Sequence, residues 1–161
     1  MVLGGRIEVL LGPVPFILTD FFVFLAALLL RTKYYVFLIT AFLTLGASGL
    51  PVFAGGSSGF EHLTGSTSGY LIGYLIGGLF VSIFKTKRRD FLPNLLITFD
   101  GYYILFVLGL VGMSLTTNMS FDEVYKDGFE PFILSMHLKA SVATSIYFFT
   151  KNARLNHNSG G

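Results

Sequence analysis

The sequence predicts an all-α fold: a polytopic membrane helix bundle of about five transmembrane helices. Three observations carry that expectation. First, the 161 residues are 53% hydrophobic and only 12% charged, with a mean hydropathy of +0.71. An ordinary soluble domain is about 25% charged, so half that density cannot coat a soluble surface of this size. Second, apolar runs approaching membrane length recur along the chain. Third, basic residues cluster at alternate boundaries of those runs. The same numbers argue against a soluble globular enzyme and exclude a disordered chain. A net charge of +2 is too small to suggest a nucleic-acid partner. The absence of cysteine excludes disulfides, thiolate catalysis and cysteine metal sites, without identifying a compartment.

The spans follow from the charge map. The first runs from about Val14 to Leu30 and ends at Arg31-Thr32-Lys33. The second covers about Tyr34 to Phe53, and a Gly/Ser-rich loop follows from Ala54 to Gly69. The third covers about Tyr70 to Phe84 and ends in Lys85-Thr86-Lys87-Arg88-Arg89. It is short for a core of roughly 30 Å, so it begins inside the loop, tilts, or is partly re-entrant. The fourth covers about Leu92 to Leu115. A polar, acidic stretch from Thr116 to Glu130 separates it from the fifth, about Pro131 to Thr150. One domain is expected over 1–155, with a disordered tail over 156–161. Residues 1–13 lack the basic start and the apolar length of a signal peptide.

Arg31, Lys33, Lys85, Lys87, Arg88, Arg89, Lys151 and Arg154 fall on one side of this topology. Most carboxylates (Glu8, Glu61, Asp122, Glu123, Asp127 and Glu130) fall on the other, with Arg6 and Lys126. The positive-inside rule makes the basic side cytoplasmic. The C-terminus is then inside, and Met1 and the Gly/Ser loop are outside. An odd number of spans suggests that a preceding one is missing.

Ionisable groups inside apolar spans are costly and mark function by default. Lys139 lies about eight residues into the fifth span, near mid-membrane. It is either a cation for an anionic ligand group, or the partner of Asp20 or Asp100, or a snorkelling side chain. His137 points about 200° away from it on a helix. The expectation there is a neutral histidine satisfied by a neighbouring helix. No second ligand stands at i+4 to make a metal site. Ser135, His137 and Lys139 spread around a helix rather than forming a nucleophile–base set. Asp20 and Asp100 read as internal pairs, interfacial groups, or members of a proton relay. Gly55-Gly56-Ser57-Ser58-Gly59 and Gly65-Ser66-Thr67-Ser68-Gly69 lack the Gly-Lys-Ser/Thr ending of a phosphate loop. They either line a cavity with irregular backbone or form a flexible outer loop.

The segment Leu45 to Gly73, LGASGLPVFAGGSSGFEHLTGSTSGYLIG, closely resembles the most recognisable stretch of the BioY family. Members of that family are the biotin-binding S components of energy-coupling factor transporters. The family run Gly-Leu-Pro-Val-Phe-Ala-Gly-Gly has its counterpart at Gly49 to Gly56, and the Gly-Pro-Thr-Gly-Gly-Tyr-Leu element at Gly65 to Leu71. Gly12-Pro13-Val14-Pro15 matches an earlier signature. Pro131-Phe132-Ile133-Leu134-Ser135-Met136-His137-Leu138-Lys139 matches a later one, Pro-Phe-Leu-Pro-Gly-Asp-Leu-Leu-Lys.

The resemblance implies a non-enzymatic substrate-binding subunit, multi-pass in the bacterial plasma membrane. It would capture biotin at the outer face and work with a transmembrane T component and two ATPase subunits. Biotin is a transported ligand, with no cofactor. The family has six helices, so this chain would lack most of the first. The family lysine is retained as Lys139, implying a contact to a vitamin carboxylate. The aspartate three residues earlier, suited to ureido N–H groups, is Met136 here. Ser57 stands where some members carry a polar residue, and Thr19 stands where the early motif has glutamine. Gly55, Gly56 and Tyr70 belong to the shared motif and complete the implied ligand set. Asp20 and Asp100 are the candidates to substitute for the missing carboxylate. The altered set also leaves open another small anionic vitamin, or a truncated, non-transporting relative.

Overall fold

The computed structural model describes residues 8–10, 15–53, 56–86 and 90–158, with side chains described over 18–53, 56–86 and 90–152. Helices dominate. The described residues contain one strand pair, β1 (Glu8–Leu10) and β2 (Pro15–Ile17), antiparallel with Val9 opposite Phe16. Helix α1 then covers Thr19–Leu29, α2 Thr32–Ala47, the single turn α3 Glu61–Thr64, and α4 Ser68–Phe84. Helix α5 covers Phe91–Thr116, α6 Phe121–Gly128, and α7 Ile133–Asn158, entered through a 3-10 turn at Glu130–Phe132.

Four boundaries differ from the sequence expectation. The first helix starts at Thr19 rather than near Val14, because Pro15–Ile17 is extended and paired with β1 as strand β2. The second stops at Ala47, six residues early. Gly49 follows with φ 99, the left-handed position that ends helices. The acidic stretch after α5 contains a helix of its own, α6. Its start is fixed by a capping box: Ser120 Oγ accepts from the Glu123 amide, and Glu123 accepts from the Ser120 amide at 2.7 Å. These Ser120 donors hold the exposed Glu123 carboxyl below its usual range. The last helix runs on to Asn158.

Helix α4 is the centre of the bundle, packing on α5, α2 and α1, while α7 packs on α1 and α5. The α4–α5 contact is made by glycine. Gly69, Gly73 and Gly77 recur every four residues along one face of α4, against Leu108, Leu105 and Gly101 of α5. A Cβ at Gly73 would lie 2.9 Å from the Leu105 Cα, so the two backbones touch directly. Small-residue stripes of this kind are how helices associate where water supplies no hydrophobic drive. On the other side of α4, Tyr35 of α2 lies against Gly78, and its hydroxyl donates to the Tyr74 carbonyl. The core continues through Phe24, which stacks on Tyr102 with ring centroids 4.0 Å apart.

The exterior is as apolar as the core. Leu134, Leu115, Phe37 and Phe149 are each 70–83% exposed, and α5 turns Leu92, Leu96, Val107 and Val111 outward. A soluble monomer does not present apolar surface on this scale. Phe91–Thr116 and Phe121–Asn152 are long and apolar enough to cross a membrane, and three shorter apolar helices accompany them. Charge divides between the two ends. At one end, Lys85 Nζ donates to the Ala27 carbonyl at 2.7 Å and to that of Leu30, and Lys151 donates to the Thr86 carbonyl. Arg31 and Lys33 start α2 at this same end, where Thr32 donates to Ser82. Glu61, Asp122, Glu123, Asp127 and Glu130 occupy the segments at the opposite end.

Candidate functional site

The carboxylate-bearing end contains a cavity of about 530 Å³, within the range of small-molecule pockets. Its wall comes from the start of α1, the first two turns of α4 and α7, the second half of α5, Phe42 of α2, α6, and the loop before α4 with the turn α3. Each of these segments has a local reason to be there. The loop turns back through left-handed Gly56 (φ 74) and Gly59 (φ 112). It is tied to α2 where the Gly59 amide donates to the Gly46 carbonyl at 2.8 Å. Phe53 then plugs inward, 3% exposed, with its ring edge-on to Phe42 and to His62. Phe53 packs over Gly46, where a Cβ would collide with its ring. Helix α6 is strapped over the cavity by Tyr70, whose hydroxyl donates to the Gly128 carbonyl at 2.8 Å.

Most of the wall is apolar and aromatic: Phe42, Tyr70, Leu105, Phe106 and Phe132 all contribute. Polar groups gather at its two ends. Lys139 lies six residues, roughly 9 Å, below the start of α7. Its ammonium donates to Asp20 Oδ1 at 3.0 Å and Oδ2 at 2.9 Å. Both residues line the cavity, and they are 3% and 7% exposed. Thr19 is beside them in the chain, also lining the cavity and 1% exposed, and its hydroxyl has no hydrogen-bond partner. At the outer end stand Ser57, His62, Ser66, Thr67 and Asp127. Burial of a charge at membrane depth is costly unless it is paired, and here the pair is complete within the protein.

The residues singled out from sequence divide accordingly. Lys139, Ser57, Tyr70 and Thr19 line the cavity. Of the two carboxylates weighed as partners for Lys139, Asp20 makes the contact, and Asp100 lies on the exposed side of α5. Met136 is fully buried and is not part of the cavity wall, because it points into the core from the helix turn before Lys139. Gly56 shapes the loop without lining the cavity. Gly55 lies outside the described residues. His137 is satisfied by its neighbours: Nδ1 meets the Ile133 carbonyl at 2.7 Å, and Nε2 meets the Tyr103 hydroxyl of α5 at 3.3 Å. Sequence reasoning missed Tyr74, Phe106, Phe132 and the whole contribution of α6. The capping box at Ser120 and Glu123 was the one signal that marked α6 as a built element.

Fold and cavity together define a class: a small helical membrane protein built around a solute-sized pocket at one end. The chain belongs to the BioY family, whose model matches residues 1–155. It is 36% identical over 146 residues to "Biotin transporter BioY" of Thermotoga maritima, covering 91% of this chain and 86% of that protein. It is likewise 36% identical over 143 residues to "Probable biotin transporter BioY" of Pyrococcus horikoshii, covering 89% and 84%. A solved structure, the S-component for biotin from an ECF-type ABC transporter, superposes with a TM-score of 0.81 at 26% identity, over 94% of this chain and 84% of that one. These relatives are transporters and a transporter component, so the chain is a membrane transport protein and not an enzyme.

Proposed function

We propose that this chain is the biotin-binding subunit of a vitamin uptake system, taking biotin into the cavity at the carboxylate-bearing end. The observation that carries the reading is the cavity itself. It is a mostly apolar and aromatic chamber with a buried polar cluster, Thr19, Asp20 and Lys139, at its inner end. Biotin has the matching form: a fused apolar ring and an aliphatic chain between two polar ends. The names carried by the relatives agree with that ligand. Lys139, Thr19, Ser57 and Tyr70 are the proposed contacts, and left-handed Gly56 shapes the loop beside them.

In this reading the basic end, with Arg31, Lys33, Lys85 and Lys151, faces the cytoplasm. The cavity then opens outward, the C-terminus is inside, and the membrane is the bacterial plasma membrane. Energy comes from a transmembrane T component and two ATPase subunits acting from the cytoplasmic side. Cells that cannot make biotin test this directly. Expressed with T and ATPase subunits, the chain should restore uptake of labelled biotin at nanomolar supply. Uptake no greater than in cells lacking the chain would refute the transport role.

A further inference from the structure

Helix α6 contributes Asp127 and Gly128 to the cavity wall, and it packs on α5 along one side. Val124 is 1% exposed on that side. A Cβ on Gly128 would meet Leu110 and Met113 of α5 as well as the Tyr70 hydroxyl. Beside this packed side stand Phe121 and Tyr125, one turn apart and 74% and 39% exposed. Farther round the helix, Asp122, Glu123 and Lys126 are exposed. Helix α6 is thus three-sided: one side rests on protein, one is aromatic and uncovered, and one is charged.

The surroundings of the aromatic side identify what covers it. Leu115 in the last turn of α5 and Leu134 in the first turn of α7 are 80% and 83% exposed. Both belong to the apolar exterior of the bundle, and they bracket the chain segment that contains α6. Phe121 and Tyr125 therefore continue a surface that already faces lipid. Aromatic side chains gather where hydrocarbon gives way to headgroups, since the ring is apolar and a tyrosine hydroxyl can stay wet. A helix with one apolar and one charged side lies in that layer, along the membrane surface. Charge narrows the choice of lipid. Asp122, Glu123 and Asp127 outnumber Lys126 on this helix, so it lacks the basic cluster that attracts anionic headgroups.

We propose that α6 docks on the bilayer surface at the cavity end, with Phe121 and Tyr125 seated in the headgroup layer of zwitterionic phospholipid and Asp122, Glu123 and Lys126 in water. Lipid then supports the helix on a side that the bundle leaves uncovered. The support reaches the cavity through a chain of rings. Tyr125 meets Phe129 with centroids 5.6 Å apart, and Phe129 meets Phe106 of the cavity wall at 5.3 Å. The bilayer thereby holds part of the wall in place from outside. None of these contacts depends on which solute fills the cavity.

The chain contains no tryptophan, so Phe121→Trp and Tyr125→Trp each place one indole on the aromatic side. Asp122→Trp places one on the charged side. Each full-length variant is measured in nanodiscs of phosphatidylcholine brominated either near the headgroup or near the end of the acyl chain, with iodide as the aqueous quencher. Phe121→Trp and Tyr125→Trp should emit at shorter wavelength than Asp122→Trp and resist iodide. They should lose most fluorescence to the shallow bromine, because the apolar side of such a helix sits roughly 5–10 Å into the boundary layer. Asp122→Trp should be quenched by iodide and little by either brominated lipid. Adding phosphatidylglycerol should leave the shallow-bromine quenching of Phe121→Trp unchanged. Iodide quenching of both aromatic-side variants equal to that of Asp122→Trp, without bromine quenching, would overturn the docking. So would strongest quenching by the deep bromine, which puts the helix inside hydrocarbon, or quenching that appears only with phosphatidylglycerol, which makes the contact electrostatic. Two variants read the same side, so failure of one to fold leaves the other decisive.

Discussion

Lys139→Met should abolish biotin binding and also destabilise the fold by about 3 kcal/mol or more, the usual cost of breaking one side of a buried ion pair. The two effects have different causes, and a second variant separates them. In the single variant, Asp20 is left as an uncompensated carboxylate at 7% exposure, facing an apolar chamber. It must then take up a proton or draw in water. Asp20→Asn combined with Lys139→Met removes both charges and keeps similar volumes. Thermal unfolding of this double variant should return close to wild type, because well-packed neutral replacements of a buried pair are often neutral or stabilising. Binding should stay lost in both variants, since neither presents the donor–acceptor pair. If the double variant recovers biotin binding, the Asp20–Lys139 pair is a structural device and the ligand contacts lie elsewhere on the wall. If Lys139→Met alone binds normally, Lys139 has no part in the site.

The second large effect is in the packing of α4 on α5. Gly73→Ile places a branched side chain where a Cβ already meets Leu105 backbone atoms at 2.8 and 2.9 Å. Overpacking in a core that can adjust costs roughly 1–3 kcal/mol. Here the obstacle is backbone, which cannot rotate away, so the helices must separate. Helix α4 supplies Tyr70 and Tyr74 to the cavity, and α5 supplies Leu105 and Phe106. Separation should therefore damage fold and site together. Size-exclusion profiles and thermal unfolding in detergent should show an aggregated or strongly destabilised Gly73→Ile protein. Ile72→Val, a neighbouring substitution on the exposed face, should behave as wild type. A Gly73→Ile protein as stable as wild type would mean that the glycine stripe is not the α4–α5 contact.

The parts of this molecule that were legible in the sequence depend on simple physical quantities. Hydropathy and charge clustering located the two long and three shorter apolar helices among the described residues, because burial in lipid demands apolar runs and charges must fall at their ends. The boundaries were less legible, because they depend on backbone chemistry. Strand pairing at Pro15–Ile17 delayed α1, and a left-handed Gly49 ended α2 early. Lys139 stood out because a charge inside an apolar run is rare. The choice of Asp20 over Asp100 as its partner needed three dimensions. Both aspartates sit within predicted spans, and only the rotation of α1 and α5 about their axes decides which one faces α7. Met136 shows the converse: motif alignment put it in the ligand set, but helix geometry buries it in the core. The aromatic wall was invisible, since Phe106 and Phe132 are two among 18 phenylalanines with no pattern to separate wall from lipid face.

The central claim is that the cavity between α1, α4, α5 and α7 binds biotin. Titration of labelled biotin into the purified full chain in nanodiscs tests it most directly, with desthiobiotin and riboflavin as competitors. The account predicts saturable binding at one site per chain, displaced by desthiobiotin, which keeps the cyclic urea, and untouched by riboflavin. Absence of saturable biotin binding by a monodisperse, helical sample would contradict it.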